Sequence, residues 1–188
     1  MGVMGALNER NCALLGLVAP LTAFIFISMS IGLSPWFSWG SNALSDLGHS
    51  VKSGVAPLFN FGLLLCGFLI ILYSFTSFRK HAKYTSYVLV IAGLMLQLVA
   101  AFDEVYEGLH FLVSVLFFAA LGFASLSYAI EKKSVLALAA LVIGSISWIL
   151  YGLEIYSAGI AVPETISSLA IVSWVMLSAL RIYFHKTG

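Results

Sequence analysis

Charged residues are scarce in this 188-residue chain: 9% of its residues are Asp, Glu, Lys or Arg, whereas 61% are hydrophobic. A water-soluble domain carries about 25% charged residues, because its surface must be hydrated. The few polar side chains of this chain are not enough to cover its fold in water. The composition therefore excludes a soluble globular protein and predicts a single transmembrane domain over residues 1–188, with lipid as its main solvent.

Several other features are scarce or missing. The only two cysteines, Cys12 and Cys66, fall at different depths of two apolar runs, so no disulfide is expected. The net charge of +1 offers no basic surface to nucleic acid. No glycine-rich phosphate loop, nucleophile elbow or pair of haem-ligating histidines at membrane depth is present. The expected partners are membrane lipids and a small-molecule or lipid ligand.

Six apolar runs are long enough to cross a bilayer, which takes about 20 residues. They fall at 12–33, 55–78, 85–102, 109–130, 134–155 and 164–183. Backbone groups in lipid must be paired within the chain, and uninterrupted apolar runs achieve this as helices. The sequence thus predicts an all-α, multi-pass protein of the cell membrane, built as a bundle of six transmembrane helices.

The charged residues divide unevenly between the two sides that these spans create. One side holds all but one of the nine basic residues, namely Arg10, Arg79, Lys80, Lys83, Lys132, Lys133, Arg181 and Lys186. Lys52 alone lies opposite. By the positive-inside rule this distribution predicts that both termini are cytoplasmic. Most of the acids fall on the outer side: Asp46, Asp103, Glu104, Glu107, Glu154 and Glu164. Acids contribute little to topology, so the asymmetry reflects chance, solvation of outer loops or a functional site.

The first outer loop contains a polar stretch, Ser41–His49, between the first two spans. The sequence predicts a short amphipathic helix there. On an α-helix, positions i, i+3, i+4 and i+7 share one face. That face would carry an amide, a hydroxyl, a carboxylate and an imidazole, from Asn42, Ser45, Asp46 and His49.

A second polar group lies between the third and fourth spans. On a continuous helix Asp103, Glu107 and His110 would form one stripe, whereas a break at Gly108 would make the segment a tight turn. Gln97 extends the polar track into the third span, and Glu154 adds a carboxylate near the outer end of the fifth span. Ionisable residues in spans usually face the bundle interior or a wet cavity. Together these residues predict a pocket that opens to the outside and reaches partway into the bundle.

The predicted ligand-binding residues are Asn42, Ser45, Asp46, His49, Gln97, Asp103, Glu107, His110 and Glu154. The favoured hypothesis is that they bind or transport a small cation, an amine or a lipid headgroup. One alternative is a lipid hydrolase at the outer leaflet, in which serine, aspartate and histidine side chains activate water with or without a metal. Another is a structural subunit whose polar network locks the helices together. Carboxylates and imidazoles also suit a divalent metal, although no close-spaced pair such as His-x-x-x-His accompanies them.

The block Asn42-Ala-Leu-Ser-Asp-Leu-Gly48, followed by Phe59-Asn60 at the head of the second span, resembles a known membrane family. This is the multi-helix family called domain of unknown function 998 (DUF998). Its members also tend to carry a histidine at the start of the fourth span, which His110 matches. Leu44 stands where isoleucine is commoner. The resemblance covers most of the chain; it implies a six-helix integral membrane fold and no particular activity.

Overall fold

The computed structural model describes residues 10–184, and within them every long element is an α-helix and no strand occurs. The six helices are α1 (Leu15–Gly32), α2 (Ala56–Tyr73), α3 (Lys83–Ala101), α4 (Gly108–Lys132), α5 (Val135–Gly152) and α6 (Ala161–Phe184). Helical turns extend α1 back to Arg10 and α2 on to His81. All six are long and apolar enough to cross a membrane.

For residues 10–184, the predictions of an all-α chain and of six helices long and apolar enough to cross a membrane are confirmed. The ends of the observed spans differ from the predicted ones by three residues or fewer. The agreement is close because the thickness of the bilayer sets the number of apolar residues in a span, and the sequence shows that number directly.

The six helices are arranged as a closed ring. Each helix packs against the helices that precede and follow it in the chain, and α6 also packs against α1. Five helices line a narrow apolar cavity of about 150 Å³; α5 does not line it and packs against α4 and α6. The contact between α4 and α5 is less extensive than that between α5 and α6.

Alternate connections lie at opposite ends of the ring, and the charges separate with them. The acidic end carries Asp46, Asp103, Glu104, Glu107, Glu154 and Glu164, together with Lys52. The basic end carries Arg10, Arg79, Lys80, Lys83, Lys132, Lys133 and Arg181, together with Glu131. Glu9 and Lys186, which the sequence also assigns to the basic side, lie outside the described residues.

The outer surface of the ring is apolar. On α1, for example, a stripe three or four residues apart stays about half exposed: Val18, Leu21, Ile25 and Met29. A soluble monomer rarely exposes contiguous apolar area on this scale. The exposed surface therefore fits a lipid solvent, as the composition requires.

Aromatic side chains fill the core near the basic end. Tyr128 of α4 stacks on Trp174 of α6, with ring centroids 4.5 Å apart. The indole N–H of Trp174 donates to Ser125 Oγ at 3.0 Å, so its one polar atom is paired. A π-helical turn over Ser74–Phe78 places Phe78 in the same cluster, 5.7 Å from Tyr128. Packing within this cluster connects α2, α4 and α6.

Two glycines allow α2 and α3 to approach closely. A Cβ atom on Gly67 would lie 2.6 Å from the carbonyl oxygen of Gly93, and one on Gly93 would lie 2.8 Å from the carbonyl oxygen of Gly67. Both distances are shorter than real carbon contacts, and the obstructing atoms are backbone. The contact therefore requires glycine on both helices, as at other close helix crossings in membranes.

We expect Gly67→Ala to lower the thermal unfolding midpoint in detergent, because the added methyl group forces α2 and α3 apart. Overpacking of this kind costs about 1–3 kcal/mol. Gly122→Ala on α4 is the matched control, since its Cβ would meet only the end of the Leu141 side chain at 3.6 Å. Equal midpoints for the two variants would contradict the close contact.

Candidate functional site

One aspartate fixes the shape of the first loop, which connects α1 to α2. Residues Leu44–Gly48 form a single 3₁₀ turn, and Asp46 Oδ2 accepts hydrogen bonds from Asn42 Nδ2 at 2.8 Å and from the Ala43 N–H at 3.0 Å. An α-helix over the whole polar stretch is not formed, so the four predicted side chains do not share one helical face. Asp46 is half-buried and bonds within its own loop.

The block that carries the family resemblance joins this loop to α2. Asn60 Nδ2 donates to the carbonyl oxygen of Gly48 at 2.9 Å, and Leu47 is fully buried beside Phe59. A Cβ atom on Gly48 would lie 2.5 Å from Asn60 Oδ1 and 2.9 Å from the Phe59 ring, so the loop can dock this closely only with glycine there. Gly48, Phe59 and Asn60 therefore serve to position the loop over the ring.

The same loop is also joined to α6. The Leu44 N–H donates to Oε2 of Glu164 at 2.7 Å, and the Ala161 N–H donates to the carbonyl oxygen of Asn42 at 2.9 Å. Glu164 is only 9% exposed and lies in the first turn of α6.

The second loop, between α3 and α4, is a tight turn. Glu104–Tyr106 form a 3₁₀ turn in which Asp103 Oδ1 accepts from the Val105 N–H at 2.9 Å. Glu107 has a positive φ of 45° and ends the turn just before α4 begins. The continuous stripe of Asp103, Glu107 and His110 is therefore not formed, and the alternative of a break beside Gly108 is the one observed.

His110, near the start of α4, has an acceptor at each ring nitrogen. Its Nδ1 lies 2.7 Å from the carbonyl oxygen of Phe102, and its Nε2 lies 3.2 Å from Oε1 of Glu104. Carbonyl and carboxylate oxygens only accept hydrogen bonds, so this arrangement suits an imidazolium that donates from both nitrogens. Glu104 and His110 thus form a largely buried ion pair between the second loop and α4.

Two serine hydroxyls also contact this ion pair. Ser45 of the first loop donates through Oγ to Oε1 of Glu104 at 2.5 Å, and Ser114 Oγ lies 3.3 Å from His110 Nε2. The hydrogen bond to His110 lowers the pKa of Glu104 below its ordinary value of 4.5; burial opposes this shift, and the hydrogen bond from Ser45 reinforces it. Glu104 is therefore held as a carboxylate that links both loops to α4.

Ser45 and His110 are not arranged as a serine nucleophile and its base. A serine nucleophile must give its proton to an imidazole nitrogen with a free lone pair. Ser45 donates to Glu104 instead, and Nε2 of His110 faces the same carboxylate. Within residues 10–184, no three His, Cys, Asp or Glu side chains are grouped so that they could hold a metal ion.

A cavity of about 590 Å³ opens beside this network, between α4, α5 and α6. Its polar lining is concentrated at the acidic end, where Ser45, Glu104, Glu107, His110, Ser114 and Glu164 contribute. Further along the helices its lining is mostly apolar. Ser45, Ser114 and Glu164 also line the central cavity, so they stand at the boundary between the two spaces. A volume of this size is typical of ligand pockets, which range over about 300–1,000 Å³.

The structure brings only part of the predicted site together. Ser45, Glu107 and His110 line the larger cavity. Asn42, Asp46 and Asp103 instead hold the loops that cover it. His49 is half-buried next to them, and its Nδ1 makes only a long contact, 3.4 Å, with the Val51 N–H.

The remaining two predicted residues lie away from the cavity. Gln97 donates to the carbonyl oxygen of Leu64 at 3.4 Å and bridges α3 to α2. Glu154 is exposed in the connection between α5 and α6, at a positive φ of 54°. Two acids outside the predicted set, Glu104 and Glu164, line the cavity instead. For Glu164, the available signal was a carboxylate at the head of an otherwise apolar run.

Six apolar helices with polar loops at one end define a multi-pass membrane protein. The chain belongs to the family described as "Protein of unknown function (DUF998)", which its sequence matches over residues 17–181. The resemblance seen in the sequence is thereby confirmed. In the comparisons with curated proteins and with solved structures, nothing matches the chain.

We expect the Glu104–His110 pair to show a positive coupling in a double-mutant cycle built from Glu104→Gln and His110→Gln. Coupling between contacting residues is typically about 0.5–3 kcal/mol. Unfolding in detergent at neutral pH is the measurement. Additive effects of the two substitutions would contradict the ion pair.

The stabilisation by Glu104 should also depend on pH. Because folding lowers its pKa below 4.5, the carboxylate stabilises the fold above that pH and loses this contribution as the pH falls through the lowered value. The difference in unfolding midpoint between the native chain and Glu104→Gln should therefore shrink from about pH 6 to about pH 3. A difference that stays constant over this range would count against the assignment.

Proposed function

We propose that this protein binds an amine or another small organic cation, free or as a lipid headgroup, with Glu164 as the residue that pairs with the positive charge. The observation that carries the proposal is the half-satisfied carboxylate of Glu164. Within residues 10–184, Oε2 has one hydrogen bond, from Leu44, and Oε1 has none. A buried carboxylate is costly unless a donor or a cation pairs with it.

The charges around the cavity support a cationic ligand. Glu104 is paired with His110, which leaves Glu107 and Glu164 without a basic partner in the cavity lining. Among the described residues, no lysine or arginine lines this space. Carboxylates that face a low-dielectric cavity attract a cation more strongly than they would in water. Binding at this place would also be the first step of transport, if the protein moves its ligand.

We further infer that the acidic end faces away from the cytoplasm, in the cell membrane. The support is the concentration of lysine and arginine at the basic end, against Lys52 alone at the acidic end. Basic residues in short loops are retained on the cytoplasmic side. In this orientation the ligand reaches Glu164 from the outside or from the outer leaflet.

The test compares thermal stabilisation of the purified protein by butylamine and by choline. We expect Glu164→Gln to weaken the apparent affinity about tenfold, which corresponds to about 1.4 kcal/mol for a lost charge partner. The glutamine side-chain oxygen can still accept the Leu44 N–H, so the loop stays attached while the charge is removed. The substitution therefore separates ligand binding from a purely structural role.

Glu154→Gln is the matched control. It removes a carboxylate from the same end of the bundle, but Glu154 is exposed and does not line the cavity. We expect it to leave the affinity unchanged. If neither amine stabilises the native chain, or if both variants respond alike, the proposal is wrong.

A further inference from the structure

We infer that the natural ligand is a single-chain amphiphile: an amine head at Glu164 with an apolar tail that lies between α4 and α5. The inference rests on the proposed function, because it assumes the same head group, and it adds the tail and the route of access. It follows from the length of the larger cavity, from its lining and from the side on which it is open.

The cavity is elongated along the helices. Its lining on α4 runs from His110 to Gly122, which are twelve residues apart and therefore about 18 Å apart at 1.5 Å per residue. On α5 it runs from Trp148 to Ala140, about 12 Å. The hydrocarbon core of a bilayer is about 30 Å thick, so the space extends roughly half-way across the membrane. A small amine would occupy only its acidic end.

The lining changes from polar to apolar along this length. Beyond Ser114, α4 contributes only apolar side chains, from Val115 to Gly122. Across the cavity, Leu141 and Gly144 of α5 and Ile171 of α6 continue the apolar wall. Two hydroxyls interrupt this wall: that of Ser145 on α5, and that of Ser167 on α6, whose Oγ donates to the carbonyl oxygen of Pro163 at 2.6 Å. A lining of this kind fits a molecule with one charged end and one hydrocarbon end.

The cavity is open on the lipid side. Phe111 and Val115 line it and are 71% and 48% exposed. Both belong to α4, whose contact with α5 is less extensive than that between α5 and α6. An amphiphile can therefore slide in sideways from the bilayer, with its tail never leaving an apolar surrounding. Glu107, exposed at the head of α4, lies where the amine would first arrive.

The test uses the protein in phosphatidylcholine nanodiscs with three probes: butylamine, which has the head alone, dodecylamine, which has head and tail, and dodecanol, which has a tail without charge. Each probe is compared between the native chain and a variant, so that its partitioning into lipid cancels. Gly122→Leu fills the far end of the cavity, where a Cβ meets only the tip of Leu141 at 3.6 Å. Gly152→Leu is the control, because Gly152 has open space around it and does not line the cavity.

We expect Gly122→Leu to weaken dodecylamine about tenfold and to leave butylamine unchanged, while Gly152→Leu changes neither. Glu164→Gln should weaken both amines and leave dodecanol unaffected. If butylamine binds through Glu164 but Gly122→Leu leaves dodecylamine unchanged, the amphiphile inference fails and the proposed function stands. If no amine depends on Glu164, both fail. Dodecanol binding as tightly as dodecylamine would show a non-selective lipid groove and overturn the inference.

A second measurement does not depend on how Gly122→Leu folds. Trp148 lines the cavity, so a dodecylamine brominated along its chain should quench its fluorescence, and excess butylamine should relieve the quenching by competing for the head. In Trp148→Phe, the part of the quenching that butylamine relieves should be lost. Quenching that is the same in both chains would place the tail outside the cavity and overturn the inference.

Discussion

Lipid cannot hydrate a carboxylate, and this constraint determines the arrangement of the acidic end. An ionised group at membrane depth must be paired, hydrogen-bonded or placed beside a wet space. Glu104 is paired with His110 and receives a hydrogen bond from Ser45, and Glu164 receives one from the Leu44 N–H. The bonds from Ser45 and from Leu44 join segments far apart in the chain, so these carboxylates help to determine where the first loop sits. They act together with the Asn60–Gly48 and Ala161–Asn42 hydrogen bonds to hold the first loop over the cavity.

The fold was largely predictable because bilayer thickness constrains the length of each apolar run directly. The ring was not predictable, because spans that are apolar all round give no periodic signal for the face that packs. Their arrangement depends on local shape: the backbone contact between Gly67 and Gly93, and the stacking of Tyr128 on Trp174. The π-helical turn over Ser74–Phe78 likewise follows from packing in the aromatic cluster and has no simple sequence signature.

The gathering of acids at one end of the bundle was predictable from the sequence, but the contacts of the individual side chains were only partly so. The α-helical spacing rule placed Asn42 with His49, but Leu44–Gly48 form a short 3₁₀ helix, to which that rule does not apply. Glu104 could not be distinguished from its acidic neighbours by sequence, since the break at Glu107 decides which carboxylate turns toward His110. Glu164 was counted among the outer acids, and only the contact of α6 with the first loop reveals that it is buried.

The distribution of polar groups along the ring also bears on what the protein can do with a cation. From Ser114 toward the basic end, the lining of both cavities is mainly apolar. The next acid in that direction is Glu131, which already accepts hydrogen bonds from the backbone N–H and the hydroxyl of Thr85. A bare ion that left Glu164 in that direction would meet no ligand for most of the membrane, at a large desolvation cost. A cation attached to a hydrocarbon chain has no need of such a path, because its tail stays in lipid and its head stays at the interface. The geometry is therefore better suited to handling an amphiphile within one leaflet than to conducting a free ion across the bilayer.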